Sequence, residues 1–248
     1  MSAALFRMPL AHARLPLMAA LAGTMLAAPC LTAQDAPADS RPTVAVMPFN
    51  NGAIGKAHVD LDPLSGGIMD LLTTELTRNP GVRVVERGQI EKLIQEQRLD
   101  STGRVDQATA VQVGRLLGVH HMIFGGFVTD PRGDMRLDAR AVDVETGQVE
   151  YVETVQDKSD NVMGMVSQLA EKMNKGMKLP GMPKRTADAA PTKAPMAVVL
   201  LYSRAIQQEN SGHPDRALEL YRQAADQDFP AARQAVARLQ PATSSSGS

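Results

Sequence analysis

Two predominantly apolar runs constrain this chain more than any other feature. Val44-Ala45-Val46-Met47-Pro48-Phe49 is unbroken by charge and closed by proline, and residues 119–128 are mostly apolar around two glycines. Neither run shows the polar alternation of a strand with one wet face, so each reads as a strand covered on both sides. Helical periodicity lies between them. Asp62-Pro63 opens a helix, as cap and first position, on which Leu64, Ile68, Leu71, Leu72 and Leu76 form one face. Asn79-Pro80-Gly81 ends it, and Val82-Arg83-Val84-Val85 is a short second strand.

A second helix is predicted over 88–98, with Ile90, Leu93 and Ile94 inward. A third is capped by Asp106 and stopped by Gly118. Beyond residue 128, Met135, Leu137, Ala139 and Ala141 alternate with polar residues, and Glu145-Thr146-Gly147-Gln148 turns the chain into a returning strand over 149–155. A fourth helix, 159–175, carries Val162, Met165, Val166, Leu169 and Met173 on one side. The expectation is an α/β fold: a mixed five-stranded sheet packed with helices over 43–178.

Four prolines over 180–195 mark a linker, placed at 179–195. A small all-α module follows over 196–240, with two helical patterns joined at Gly212-His213-Pro214 and a third starting at Pro230. The Ser/Gly-rich tail, 241–248, is expected to be disordered.

The first thirty-odd residues stand apart from the fold. Arg7, His12 and Arg14 give a basic start, residues 15–28 are almost wholly apolar, and Leu31-Thr32-Ala33 ends in a small residue. That layout is a secretory signal over 1–33 with a leader over 34–42. Its apolar run of roughly 14 residues is shorter than the ~20 of a membrane span. An exported, periplasmic location follows, with no span in the mature chain. Cys30, the only cysteine, is either discarded with the signal or lipidated. Ala27-Ala28-Pro29 before it resembles a lipoprotein site except for the proline.

With 44% hydrophobic and 21% charged residues the chain is globular, and a net charge of −1 gives no pull toward nucleic acid. Glu86 and Glu96 could form a general acid–base pair and make a hydrolase. No nucleophile, metal cluster or phosphate loop accompanies them in the sequence, so the preferred reading has them fixing loops by pairing with Arg87 or Arg98 or by accepting backbone hydrogen bonds. His120-His121 point to opposite faces of a strand and do not share an ion readily. Asp60 and Asp62 near His58 read as a cap and a solvated loop. The methionines at 163, 165, 173 and 177 fall at helical spacing and read as core rather than as a binding stripe. No cofactor or metal is expected.

Several of these segments, in order, resemble the curli-secretion (CsgG) family. They are the strand ending at Phe49, Glu86-Arg87, Glu96-Gln97, Gly103, Leu117-Gly118, Phe124-Gly125-Gly126 and Val142-Asp143-Val144-Glu145-Thr146-Gly147. The likeness spans about 43–175. It implies a non-enzymatic protein of a two-membrane bacterium that acts on envelope proteins, itself or others, with an outer-membrane association if Cys30 is lipidated. Penicillin-binding-protein activators of the LpoB type and the first domain of TolB have a similar fold, so regulation of a cell-wall synthase is the alternative role. Glu86, Arg87, Glu96, Gln97, Gly125, Gly126, Thr146 and Gly147 are the family-motif positions, structural or at an interface. Channel-forming members add hairpins beside the strand pair, but Thr129-Asp130-Pro131-Arg132-Gly133 and Asp157-Lys158-Ser159-Asp160 are too short to carry membrane-spanning strands of about 9–11 residues.

The C-terminal module resembles one tetratricopeptide repeat. Leu201, Ala205, Gly212, Ala217, Leu218, Tyr221 and Ala224 fall at its packing positions, with Gln208 where a large apolar residue is expected. A single repeat buries its faces poorly, so the module is expected to pack on the first domain or on another chain.

Overall fold

The computed structural model describes residues 39–97, 105–184 and 193–240. The signal, Cys30, Arg98, Gly103, Arg185 and the tail lie outside them. All elements fall in one compact unit, Ser40–Ser248.

Strand β1 (Thr43–Val46) is buried along its whole length inside the sheet. It pairs in parallel with β3 (Arg83–Val84) on one side and with β4 (His121–Thr129) on the other. β4 continues antiparallel into β5 (Asp134–Asp143) and β5 into β6 (Val149–Lys158). The order is β3-β1-β4-β5-β6, with a sixth strand, β2 (Asn50–Asn51), pairing β4. The sheet is mixed, as the strand pattern predicted, but the expected first strand is two. Pro48 has no N–H to give the ladder, so β1 stops at Val46 and the chain rejoins the sheet at Asn50.

A short helix, α1 (Lys56–Leu61), stands where the sequence pattern predicted only loop, and it buries no residue. Without a buried face it leaves no apolar period to read. It also displaces the expected cap: Asp62 is itself helical (φ −51°, ψ −41°), and α2 (Leu64–Thr77) starts after Pro63 with no side-chain cap. α2 buries Leu64, Ile68, Leu71, Leu72 and Leu76, as its spacing predicts. α3 (Arg87–Glu96) and α4 (Gln107–Leu117) follow. Asp106 caps α4 by accepting the Thr109 N–H at 2.8 Å, and Gly118 ends it in the left-handed region (φ 64°).

β4 and β5 are joined through Asp130–Gly133, where the Gly133 N–H returns to the Asp130 carbonyl. β6 leads through a 3₁₀ turn (Ser159–Asn161) into α5 (Val162–Gly176). Met165, Met173 and Met177 are buried in the common core and Met163 packs against it, so the methionines fill volume. No helix among the described residues is long and apolar enough to cross a membrane.

After α5 the chain is pinned. The Asn79 amide donates to Asn174 Oδ1 (2.8 Å) and to the Pro180 carbonyl (2.7 Å), which also accepts from Asn174 Nδ2 (3.0 Å). The helical region comprises α6 (Met196–Asn210), α7 (Pro214–Ala225) and α8 (Pro230–Leu239). Ala205, Ala217, Tyr221 and Ala224 are fully buried, Leu201 is half-buried, and Gly212 makes the α6–α7 turn with φ 77°. Tyr202, Tyr221 and Phe229 form an aromatic cluster with ring centroids 5.4 and 5.2 Å apart.

This region lies against α2. The approach is closest at Gly67, where a Cβ would stand 1.9 Å from Ser203 Oγ and 2.9 Å from Ser203 Cβ. Only a residue without a side chain fits there. Gly67→Ala is expected to destabilise the chain by about 2 kcal/mol through overpacking, and Ser203→Gly in the same chain to recover most of it. Urea denaturation of the parent and the two variants checks this.

Candidate functional site

The centre of polar chemistry is a side chain from the Glu86-Arg87 motif. Glu86 precedes α3 in extended conformation (φ −67°, ψ 144°), which turns Arg87, the first helical residue, inward. Arg87 is 6% exposed. Its Nε donates to Asp70 Oδ1 on α2 (2.9 Å), Nη1 to Glu91 Oε2 one turn along α3 (2.7 Å), and Nη2 to Glu209 Oε2 on α6 (3.2 Å). Nη1 also meets Asn210 Oδ1 at 2.5 Å. Three further donors close the cluster. Tyr202 donates to Asp70 through a short hydrogen bond, and Tyr221 and Arg238 both donate to Glu209 Oε2, at 2.8 and 2.9 Å. One guanidinium thus ties α2 and α3 to α6, and through Glu209 to α7 and α8.

Three carboxylates share two guanidinium groups, so one negative charge is in excess. Burial pushes the Glu91 carboxyl up, only partly offset by Arg87 and by the Asn210 amide. At Glu209 burial acts in the same direction, but Tyr221, Arg87 and Arg238 overcome it and hold the carboxyl low. Burial would lower Arg87; Glu91 and Asp70 more than compensate, and it stays charged at any relevant pH.

The raised folded-state value of Glu91 means that its ionised form costs stability, and the cost disappears as pH falls from above that value to below the ordinary carboxylate range. Glu91→Gln removes the cost throughout. Its advantage over the parent in urea midpoint is therefore expected to be largest near neutral pH and to shrink as pH falls toward 4; a constant gap would contradict the assignment.

The other family-motif residues serve the frame. A Cβ on Gly125 would lie 2.0 Å from the Asp138 carbonyl oxygen, and one on Gly126 2.9 Å from that of Asn50, so the pair lets β4 sit between β5 and β2. Thr146 donates its N–H (2.7 Å) and its hydroxyl (2.9 Å) to Asp143 Oδ1, and Gly147 takes φ 72°, making the β5–β6 turn. The Gln107 side chain holds that turn through the Gly147 carbonyl.

The structure does not bring Glu86 and Glu96 together. They stand at opposite ends of α3, about 15 Å apart at 1.5 Å per residue. Glu96 is 56% exposed and, among the described residues, pairs with Lys92 at 3.8 Å. Arg87, the expected partner of Glu86, is spent on Asp70, Glu91 and Glu209. Gln97 ends α3, its N–H on the Leu93 carbonyl. His120 accepts the Thr43 N–H on Nδ1 (3.0 Å), while His121 lies 2.6 Å from Glu150, so each imidazole has its own partner.

Sequence reasoning missed Asp70, Glu91, Tyr202, Glu209, Asn210 and Arg238. One signal was present: Asp70 interrupts the apolar Ile68-Met69-Asp70-Leu71-Leu72 segment, where an acid requires a buried cation.

A cleft of about 410 Å³ opens beside the cluster. It lies beyond the end of β1, between the start of α2, α3 and the last turns of α6, with Glu91 and Asn210 in its wall. Glu86 instead borders a separate groove with Arg78 and Arg238.

Fold and site together define an α/β protein with a six-stranded mixed sheet, its C-terminal helices tied to the body through one buried arginine. Residues 26–130 match the family described as "Curli production assembly/transport component CsgG". That match begins within the expected signal and ends short of the 43–175 over which motifs were read. No curated protein matches. Among solved structures, the LpoB C-terminal domain from Salmonella enterica is 16% identical, with a TM-score of 0.33 over 47% of this chain and 82% of that one. TolB from Acinetobacter baumannii is 13% identical (TM-score 0.37, 58% and 30% covered), and the PelC dodecamer from Paraburkholderia phytofirmans 11% (0.36, 56% and 89%). Likeness this distant says nothing about role.

Proposed function

We propose that the chain is a non-enzymatic, exported cell-envelope adaptor of the CsgG type, without channel hairpins, that acts by holding protein partners, further copies of itself included. The family match over 26–130 supports this reading. The observation that carries it is the use of the motif side chains. Arg87, Gly125, Gly126, Thr146 and Gly147 are committed to holding elements together, and Glu86 and Glu96 are too far apart for paired acid–base work. What such a frame offers is surface.

The helical region, read as a tetratricopeptide-like unit, turns its α6 face onto α2 of its own chain, so a partner meets other faces. Cross-linking in envelope extracts followed by pull-down is expected to return a reproducible partner; none across repeats removes the reading. The cell-wall regulator alternative rests on the resemblance alone. Purified protein that leaves a synthase rate unchanged eliminates it.

A further inference from the structure

The cleft beside Arg87 exists only because α6 is docked: the body and the helical region each supply part of its wall. From the body come Pro48, Phe49, Ile94 and Val105, and from α6 comes Ile206, all apolar. Among the described residues the charged lining groups are two carboxylates, Asp62 and Glu91, and no lysine, arginine or histidine of those residues lines it. Arg87 takes Glu91 Oε2, while Glu91 Oε1 lies toward Gly66, 4.0 Å from where a Cβ there would stand. Gly66 also lines the cleft, so this oxygen borders the opening.

Carboxamides stand beside these groups: Gln95 from the body and Gln207 from α6, while Asn50 is held by the Val105 backbone and Asn210 Oδ1 by Arg87. Each part selects something. Apolar walls accept an alkyl stem, a wall whose charge is acidic favours a cation at its end, and carboxamides match peptide groups in hydrogen-bonding capacity. A volume of about 410 Å³ lies within the range of sites that enclose small ligands.

We infer that this cleft binds a lysine or arginine side chain presented on a peptide backbone, the stem against Phe49, Ile94 and Ile206 and the cation at Asp62 and Glu91. The inference rests on the adaptor reading and gives it a recognition element. Because both halves of the chain form the cleft, occupancy also favours the docked arrangement.

The probes are Nα-acetyl-lysine-N-methylamide, the norleucine counterpart with the same stem and no charge, and n-butylamine. They are titrated into the full mature chain and followed by the methyl resonances of Ile94 and Ile206. The lysine amide is expected to shift both methyls with millimolar affinity, on the order expected for so small a ligand. The norleucine amide should bind about tenfold more weakly. Asp62→Lys, at an exposed position, should abolish the shifts while leaving the circular dichroism spectrum unchanged. Equal binding by the norleucine amide, or shifts that spare both methyls, overturns the proposal. Equal binding by n-butylamine overturns the peptide assignment. An empty cleft would leave partner capture by cross-linking untouched, so failure of this inference is distinguishable from failure of the adaptor reading.

Discussion

Arg87→Met releases the C-terminal helices. The substitution keeps an unbranched stem but leaves Asp70, Glu91 and Glu209 facing one another, with Arg238 the sole remaining guanidinium in the cluster. Breaking a buried ion pair on one side costs about 3–5 kcal/mol. The cost falls on the α2–α6 junction, because Arg87 joins groups from both sides of it. The sheet, whose core of Val44, Val46, Ile123 and Leu137 is remote in kind from this cluster, is expected to keep its secondary structure. Amide exchange should therefore accelerate selectively over 196–240, and limited proteolysis should cut between residues 181 and 195. Uniform loss of protection across the chain would show instead that the body and helices unfold as one unit. Arg87→Lys restores the charge but not the fork, and should recover only part of the stability.

Gly125→Ala is expected to be the most damaging single-methyl change in the body. Its Cβ would meet the Asp138 carbonyl oxygen at 2.0 Å, with Ala139 Cα and the Phe49 ring each at 3.0 Å. No rotamer relieves contact with a main-chain atom, so β4 and β5 must part locally, at a cost of at least about 3 kcal/mol. Gly88→Ala is the matched control. Nothing lies within 4 Å of its new methyl group, and at this second residue of α3 the change is expected to gain about 0.4–1 kcal/mol by restricting the unfolded chain. Thermal denaturation of both variants separates a steric cost from a general intolerance of alanine.

The parts of the fold legible in the sequence were those where burial is periodic. α2, α5 and β5 announce themselves because each has one face in the core, and the buried residues are those predicted from spacing. Capping chemistry was legible at Asp106 and Gly118 for the same local reason. Features without such a period were hidden. α1 buries nothing, and β2 is two residues whose pairing with Gly126 and Phe127 depends on a strand far along the chain.

The site was half visible. Arg87 stood out in a motif, yet the groups that surround it come from α2, α6, α7 and α8, up to 151 positions away at Arg238 by sequence number. No local pattern encodes a partner at that separation. Glu86 and Glu96 are the local counterpart: the acid–base pairing that the sequence offered only as an alternative is kept apart by the straight helix between them.

The asparagine pair that grips Pro180 sets the reach of everything beyond it. About fifteen residues run from there to α6, a contour of at most roughly 50 Å when fully drawn out. A module on so short a leash stays at millimolar effective concentration above its own berth. Any rival for that berth must outcompete a tethered occupant, and once the rival leaves, the occupant returns without having to search the solution.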